Sequence, residues 1–133
     1  MPLRLLKDLE FHKWAKSEGV TNAMLCAAAV EIEGGLVDAR LGGFLIKKRV
    51  AEPGRGKRGS YRTIAAHRQG NRLIFLHGFS KNEKDNISNK ELKALRKLGD
   101  QYMEYSESTV SKQVAERIMV EIKCHEQNPK KRP

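Results

Sequence analysis

The chain is poor in aromatics, which make up 6% of its 133 residues with Trp14 as the only tryptophan, and it has two cysteines and four prolines. No apolar run approaches the ~20 residues of a membrane span. No secretory h-region follows Met1. The expectation is therefore a cytoplasmic chain with no membrane association. Cys26 and Cys124 lie far apart, without His or Cys neighbours at metal-ligand spacing. They are expected to be reduced thiols acting as small apolar residues, not a disulfide scaffold or a zinc site. No metal or cofactor motif is visible. The length suits one domain, expected over residues 1–127, with 128–133 as a disordered basic tail.

Negative charge is also short. The chain has 16 Asp and Glu against 26 Lys and Arg, a formal net charge of +10. Ten cations lie between Arg40 and Arg72: Arg40, Lys47, Lys48, Arg49, Arg55, Lys57, Arg58, Arg62, Arg68 and Arg72. Only Glu52 opposes them, so ten minus one places +9 in a quarter of the chain. A solvated surface usually mixes its signs, and a single-sign block points to a polyanion. Nucleic acid fits better than an anionic membrane, because no amphipathic helix accompanies the block. An acidic protein partner remains an alternative.

The N-terminal third has helical periodicity. Leu3–Lys7 reads as a strand or a first helical turn. Phe11, Trp14 and Ala15 follow at helical spacing, with Gly19 as a stop. Thr21 is a fair N-cap for a helix carrying Leu25, Ala28, Ala29 and Ile32 and ending at Gly34-Gly35. From Gly42 the texture becomes strand-like, with Lys47 and Arg49 on one face of Phe44–Val50. In the loop Pro53-Gly54-Arg55-Gly56-Lys57-Arg58-Gly59, glycines interleave with cations, which allows close approach to phosphate. It lacks the P-loop frame.

Tyr61–Arg68 and Arg72–Lys81 read as a hairpin about a two-residue Gly70-Asn71 turn. Gln69 then faces Arg72, Arg62 faces Phe79 and Ile64 faces His77, and Arg62, His77, Phe79 and Lys81 share a face. A one-residue slip would scatter them. Ser88-Asn89-Lys90-Glu91 has the form of a capping box. Leu92, Leu95, Leu98, Tyr102 and Met103 form the stripe of the helix it opens. After a break at Ser106–Ser108, Val110, Val114 and Ile118 indicate another helix, and Met119–Lys123 continues it or becomes a strand. The element order describes an α+β domain.

Gly42-Gly43, Lys47-Lys48-Arg49, the glycine-cation loop, Tyr61-Arg62 and Phe79-Ser80-Lys81-Asn82-Glu83 together resemble the RelE/HigB-like toxins of type II toxin–antitoxin systems. Within them, the chain is similar to a branch with a GKxGxYR stretch and a KNE motif. The likeness runs from about Leu3 to Tyr105. It implies a RelE-like fold, with two N-terminal helices on a twisted antiparallel sheet and one or more C-terminal helices. It also implies a ribosome-dependent mRNA endoribonuclease that inhibits translation. The implied partners are the ribosome, mRNA and an antitoxin encoded alongside, of a DNA-binding type such as helix-turn-helix. By resemblance Lys47 and Arg49 are the paired cations of the strand after the helices, Arg62 is the arginine of the Tyr-Arg strand, and Lys81 opens the last strand motif. Asn82 stands where better-studied relatives carry arginine. Asn86 and Ile87 stand near the place of their catalytic tyrosine, and neither can move a proton.

RNA cleavage without a metal uses the neighbouring 2′-hydroxyl, and it needs a base, an acid and cations for the phosphorane. Arg62 is the first choice for the phosphate, since guanidinium binds its oxygens bidentately and stays charged. Lys47, Arg49, Lys57 and Lys81 hold the backbone, assisted by Arg55, Arg58 and Asn82. Tyr61 and Phe79 are candidate base-stacking platforms or simply core residues. For proton transfer the candidates are His77, Glu83, Tyr61, or Lys47 or Lys81 as a lysine depressed by its neighbours. His77 could equally be a core histidine and Glu83 a salt-bridge partner. His12, His67 and His125 read as surface or structural. A ParE-like toxin acting on DNA gyrase and a non-catalytic RNA-binding module are the rival readings.

Overall fold

The structure, a computed structural model, describes residues 3–52, 56–80 and 87–124, the side chains of 56–59 and 80 excepted. Strand β1 (Arg4–Asp8) leads into helices α1 (Leu9–Glu18) and α2 (Asn22–Glu33). A meander follows: β2 (Ala39–Arg40), β3 (Leu45–Glu52), β4 (Gly56–Arg68) and β5 (Arg72–Ser80). Helices α3 (Asn89–Glu104) and α4 (Glu107–Ala115) and strand β6 (Met119–Glu121) complete the fold. One sheet has the order β2-β3-β4-β5-β1-β6. The α+β, RelE-like expectation holds with one correction: β1 runs parallel to β5, so the sheet is mixed. Parallel pairing needs a long connection, and the chain between these strands supplies it with two helices and three strands.

Local signals set the helix ends. The Asp8 carboxylate accepts the Glu10 N–H at 3.0 Å, and Gly19 closes α1 in the left-handed region at φ 80°. Thr21 caps α2 by accepting the Met24 N–H at 3.2 Å. Ser88 and Glu91 form the expected capping box. Ser106 caps α4, so the break falls at Tyr105–Ser106, one residue earlier than the serine cluster indicates. Arg117 at φ 64° turns the chain after α4, and Met119–Glu121 is a strand.

Alternating strand positions feed two cores. Phe11, Leu25, Ile32, Ala65 and Phe75 fill the layer beneath α1 and α2, and Leu6, Leu45, Ile64, Ala66 and Ile74 fill the layer beneath α3 and α4. In the first layer, α1 approaches so closely that a Cβ on Gly78 would run into the Trp14 ring.

The cysteines correct another expectation. Cys26 and Cys124 form a disulfide, their Cα atoms 5.7 Å apart. Ninety-eight residues separate them in sequence. Antiparallel pairing of β6 with β1 nevertheless carries the chain end back beside α2, a proximity that residue spacing could not reveal.

Arg72 is buried at the opposite end of the sheet from the β4–β5 strand ends Tyr61 and Ser80. Its guanidinium donates to the carbonyls of Tyr102 (2.8 Å) and Tyr105 (3.0 Å) and to Glu107 (2.8 Å). Arg4 forks onto Glu121 at 2.8 and 3.0 Å and reaches Glu107 at 3.1 Å. Tyr102 donates to Asp8 at 2.6 Å; burial first, then that carboxylate, pushes its phenol far upward. Hydrogen bonds from Arg72 and then Arg4 hold Glu107 below the usual carboxylate range, and Arg4 does the same for Glu121.

A carboxylate with a lowered folded pKa stabilises the fold above its unfolded value, here 4.5, and the contribution is lost as pH falls through the lower folded value. Acidification below about pH 4.5 is therefore expected to lower the urea midpoint, and Glu121→Gln to flatten that decline, followed by Trp14 fluorescence. An unchanged acid limb in the variant would remove the role given to this pair.

Candidate nucleic-acid interface

The hairpin register decides which cations meet. The turn is one residue longer than expected: Arg68 pairs with Arg72, the Asn71 N–H bonds the Arg68 carbonyl at 3.0 Å, and Gly70 supplies φ 70°. Gln69 therefore does not face Arg72. A straight ladder from that turn would place His77 opposite Thr63, on the α1/α2 side. Instead β5 carries an extra residue at Leu76, so that Ala65 faces Phe75 but Ile64 faces His77. The bulge restores the expected pairs Ile64–His77 and Arg62–Phe79.

Across the sheet, Arg49, Arg62 and Phe79 form one row, and Lys47, Ile64 and His77 form the next. Neighbouring strands lie ~4.8 Å apart and successive same-face residues ~7 Å apart, so these six side chains occupy a patch about 10 Å wide. Nearer the turn, α3 packs its Gly99 over Leu45, Ala66 and Leu76. Farther along, the same face turns cationic: Arg49 is exposed, Lys47, Arg62 and His77 are half-buried, and Phe79 is buried with its ring 5.8 Å from that of His77.

Asp38, which the sequence reading passed over, fixes Arg49. Its carboxylate accepts the Arg49 backbone N–H at 2.6 Å and lies 3.4 Å from Nε, while its own N–H donates to the Lys47 carbonyl at 2.9 Å. It stands two residues before the cationic block. The local signal is weak, because an Asp before a short strand usually serves a turn.

Other candidates fall elsewhere. Tyr61 points to the α1 side, its ring 6.0 Å from Trp14 and its hydroxyl donating to the Glu18 carbonyl at 3.1 Å. It is not on the Arg62 face, and so it is placed neither to stack a base nor to move a proton there. Lys57 and Arg58 belong to β4, but their side chains, like all of Arg55, Lys81, Asn82 and Glu83, lie outside the described residues. Three block cations are structural. Buried Lys48 bonds the Leu36 carbonyl and Glu31, Arg68 bonds Asn71 and the Met103 carbonyl, and Arg72 holds the end of α3. The +9 block therefore overstates the charge offered to a ligand.

Among the described histidines outside the face, His67 has a structural partner. His67 meets Glu33 at 2.6 Å. Burial disfavours the Glu33 carboxylate, but His67 and the Gly70 N–H outweigh it and hold that group below its ordinary value. His12 is pulled down by burial and by Lys7 and Lys16, and Lys7 by burial as it bonds Asn22 at 3.0 Å. His125 lies outside the described residues. Among the described residues, no three His, Cys, Asp or Glu converge as metal ligands, and no helix is long and apolar enough to cross a membrane.

A family model, that of the RelE toxin of the RelE / RelB toxin–antitoxin system, matches residues 3–122. The chain belongs to the RelE toxin family. No curated protein matches it. For this RelE-family toxin the matched stretch contains the whole cationic face and Asp38, and it stops two residues short of Cys124. Membership makes the chain one half of a toxin–antitoxin pair, with a cognate antitoxin as partner.

If Asp38 sets the Arg49 guanidinium, Asp38→Ala is expected to weaken RNA cleavage by about tenfold, ~1.4 kcal/mol, with Asp38→Asn retaining most of the activity. Single-turnover cleavage checks this, and equal rates for Asp38→Ala and the parent protein would dismiss the clamp.

Proposed function

We propose that this RelE-family toxin is a ribosome-dependent mRNA endoribonuclease, acting in the cytoplasm and silenced by its antitoxin. The observation that supports it most is the pair of rows Arg49–Arg62–Phe79 and Lys47–Ile64–His77 on one sheet face. Arg62, central among three cations, binds the scissile phosphate and offsets the charge of the phosphorane. Lys47 and Arg49 hold the flanking backbone. Phe79 packs beside His77, which takes or returns a proton, with Lys47 of the same row as the alternative base. The 2′-oxygen attacks phosphorus and loses its proton, and the 5′-oxygen leaves and gains one. The products are a 2′,3′-cyclic phosphate and a 5′-hydroxyl. Lys81 and Glu83 belong to the same proposal as flanking cation and alternative proton carrier, with Arg55, Lys57, Arg58 and Asn82 as further RNA contacts.

A cationic face positions and stabilises better than it transfers protons, so orientation of the mRNA by the ribosome supplies much of the rate. Action on gyrase is the weaker reading because it gives no role to a phosphate-binding face. A non-catalytic RNA-binding module would need the cations but not His77 among them.

The test compares cleavage of naked mRNA and of mRNA on programmed ribosomes. Cleavage is expected on ribosomes only, and Arg62→Ala is expected to lose it by about 100-fold or more while keeping RNA affinity within a few-fold. Equal cutting of both substrates would remove the ribosome from the account. Full activity in Arg62→Ala would remove the site.

A further inference from the structure

Strand β2 reaches only as far as Lys47 along β3, so among the described residues 48–52 have no strand on their outer side. Between this open edge and α2 lies a cavity of about 230 Å³. Met24 and Val37 give it apolar walls, and Ala27 lines it from an exposed position on α2. Leu36 lines it too, 60% exposed, a large apolar side chain that belongs to neither core.

The charged groups of the cavity come in two pairs. Buried Lys48 donates to the Leu36 carbonyl at 2.9 Å and meets Glu31 at 2.7 Å. Asp38 holds Arg49 through its backbone N–H at 2.6 Å. Two carboxylates against two cations leave the described lining without net charge, beside a face that is cationic. A phosphate is drawn to the face and not to this cavity. A peptide strand added along the open edge needs the Arg49 N–H, which Asp38 already occupies. A neutral planar ring with N–H groups on its rim meets neither objection. Apolar walls cover its faces, and the half-exposed Glu31 carboxylate keeps acceptor sites beyond its contact with Lys48.

We propose that this cavity is a base pocket that reads a guanine beside the cut phosphodiester, with Glu31 as the residue that sets the preference. Arg49 lines the cavity and pairs with Arg62 across the sheet. The cavity therefore lies within ~10 Å of a phosphate held at Arg62, in reach of the base of an adjoining nucleotide. Guanine carries two parallel N–H donors on its Watson–Crick edge, a fork that one carboxylate accepts with both oxygens. Adenine and cytosine offer a single amino group there, and uracil a single ring N–H. The proposal rests on the endoribonuclease reading, which places RNA on the neighbouring face.

The experiment titrates the full-length toxin with guanosine, adenosine, cytidine and uridine 5′-monophosphates, followed by NMR. Guanosine monophosphate is expected to shift the Ala27, Ala28 and Val37 signals and to bind about tenfold more tightly than the other three. Ala27→Phe fills the cavity from an exposed helical position and is expected to abolish those shifts. Glu31→Gln is expected to bring the four affinities within about twofold of one another. The urea midpoint, read from Trp14 fluorescence, verifies that each variant is folded. Cut sites mapped on programmed ribosomes give a second readout. Guanine is expected at one fixed position next to the cut in the parent protein, and its enrichment is expected to vanish in Glu31→Gln. Equal binding of all four monophosphates, or an unchanged cut-site bias in both variants, would overturn the proposal. So would silence toward every monophosphate with protection of the same residues by the antitoxin, which would make the cavity a protein contact. Cleavage without base preference overturns the pocket and leaves the endoribonuclease reading in place. A guanosine response in a protein that cuts no RNA overturns that reading and leaves the base pocket.

Discussion

Between Phe75 and His77 the fifth strand carries one residue that its partner does not match, and the facing of everything beyond it depends on that residue. Sheet side chains alternate with period two, so one inserted residue exchanges the two faces of the remaining strand. With Leu76 inserted, Leu76 stays beneath α3, while His77 and Phe79 join Arg62 and Gly78 turns toward Trp14. Gly78 is the residue type that the Trp14 contact requires, since any side chain there would occupy the space of the indole. The close approach of α1 on one side and the assembly of the cationic face on the other are thus two results of one irregularity.

The rest of the fold secures that arrangement from the far end. Arg72 and Arg4 gather the ends of α3 and α4, β1 and β6 into one charged network at the turn side of the sheet. The face that carries Lys47, Arg49 and Arg62 is left to solvent or half-buried. Cations of one type therefore divide into two kinds of work. Those near the turn or on the α2 side satisfy carbonyls and carboxylates, and those on the far half of the α3 side make up the cationic face.

Much of this was legible in the sequence. Thr21 and the Ser88–Glu91 box announce their helices because capping is local chemistry. The pairing of Arg62 with Phe79 also follows from the residue pattern, because the extra residue in the turn is offset by a bulge that leaves no compositional mark. What was not legible depended on distant parts of the chain. The Cys26–Cys124 bond and the parallel β1–β5 pair follow from where the chain returns in space. Lys48 is indistinguishable from Lys47 until strand parity buries one of them, and Asp38 acquires its role only when β2 folds back along β3.

The bulge gathers Lys47, Arg49, Arg62, His77 and Phe79 on one face, and the proposed function requires that this face meet RNA. Titration of labelled toxin with a short RNA bearing a 2′-deoxy nucleotide at the cut position, followed by NMR, tests it most directly. The account predicts side-chain shifts at Lys47, Arg62 and His77, with Lys48, Tyr61 and Thr63 on the other face unmoved. Shifts that follow the Tyr61 and Thr63 face, with His77 silent, would contradict it.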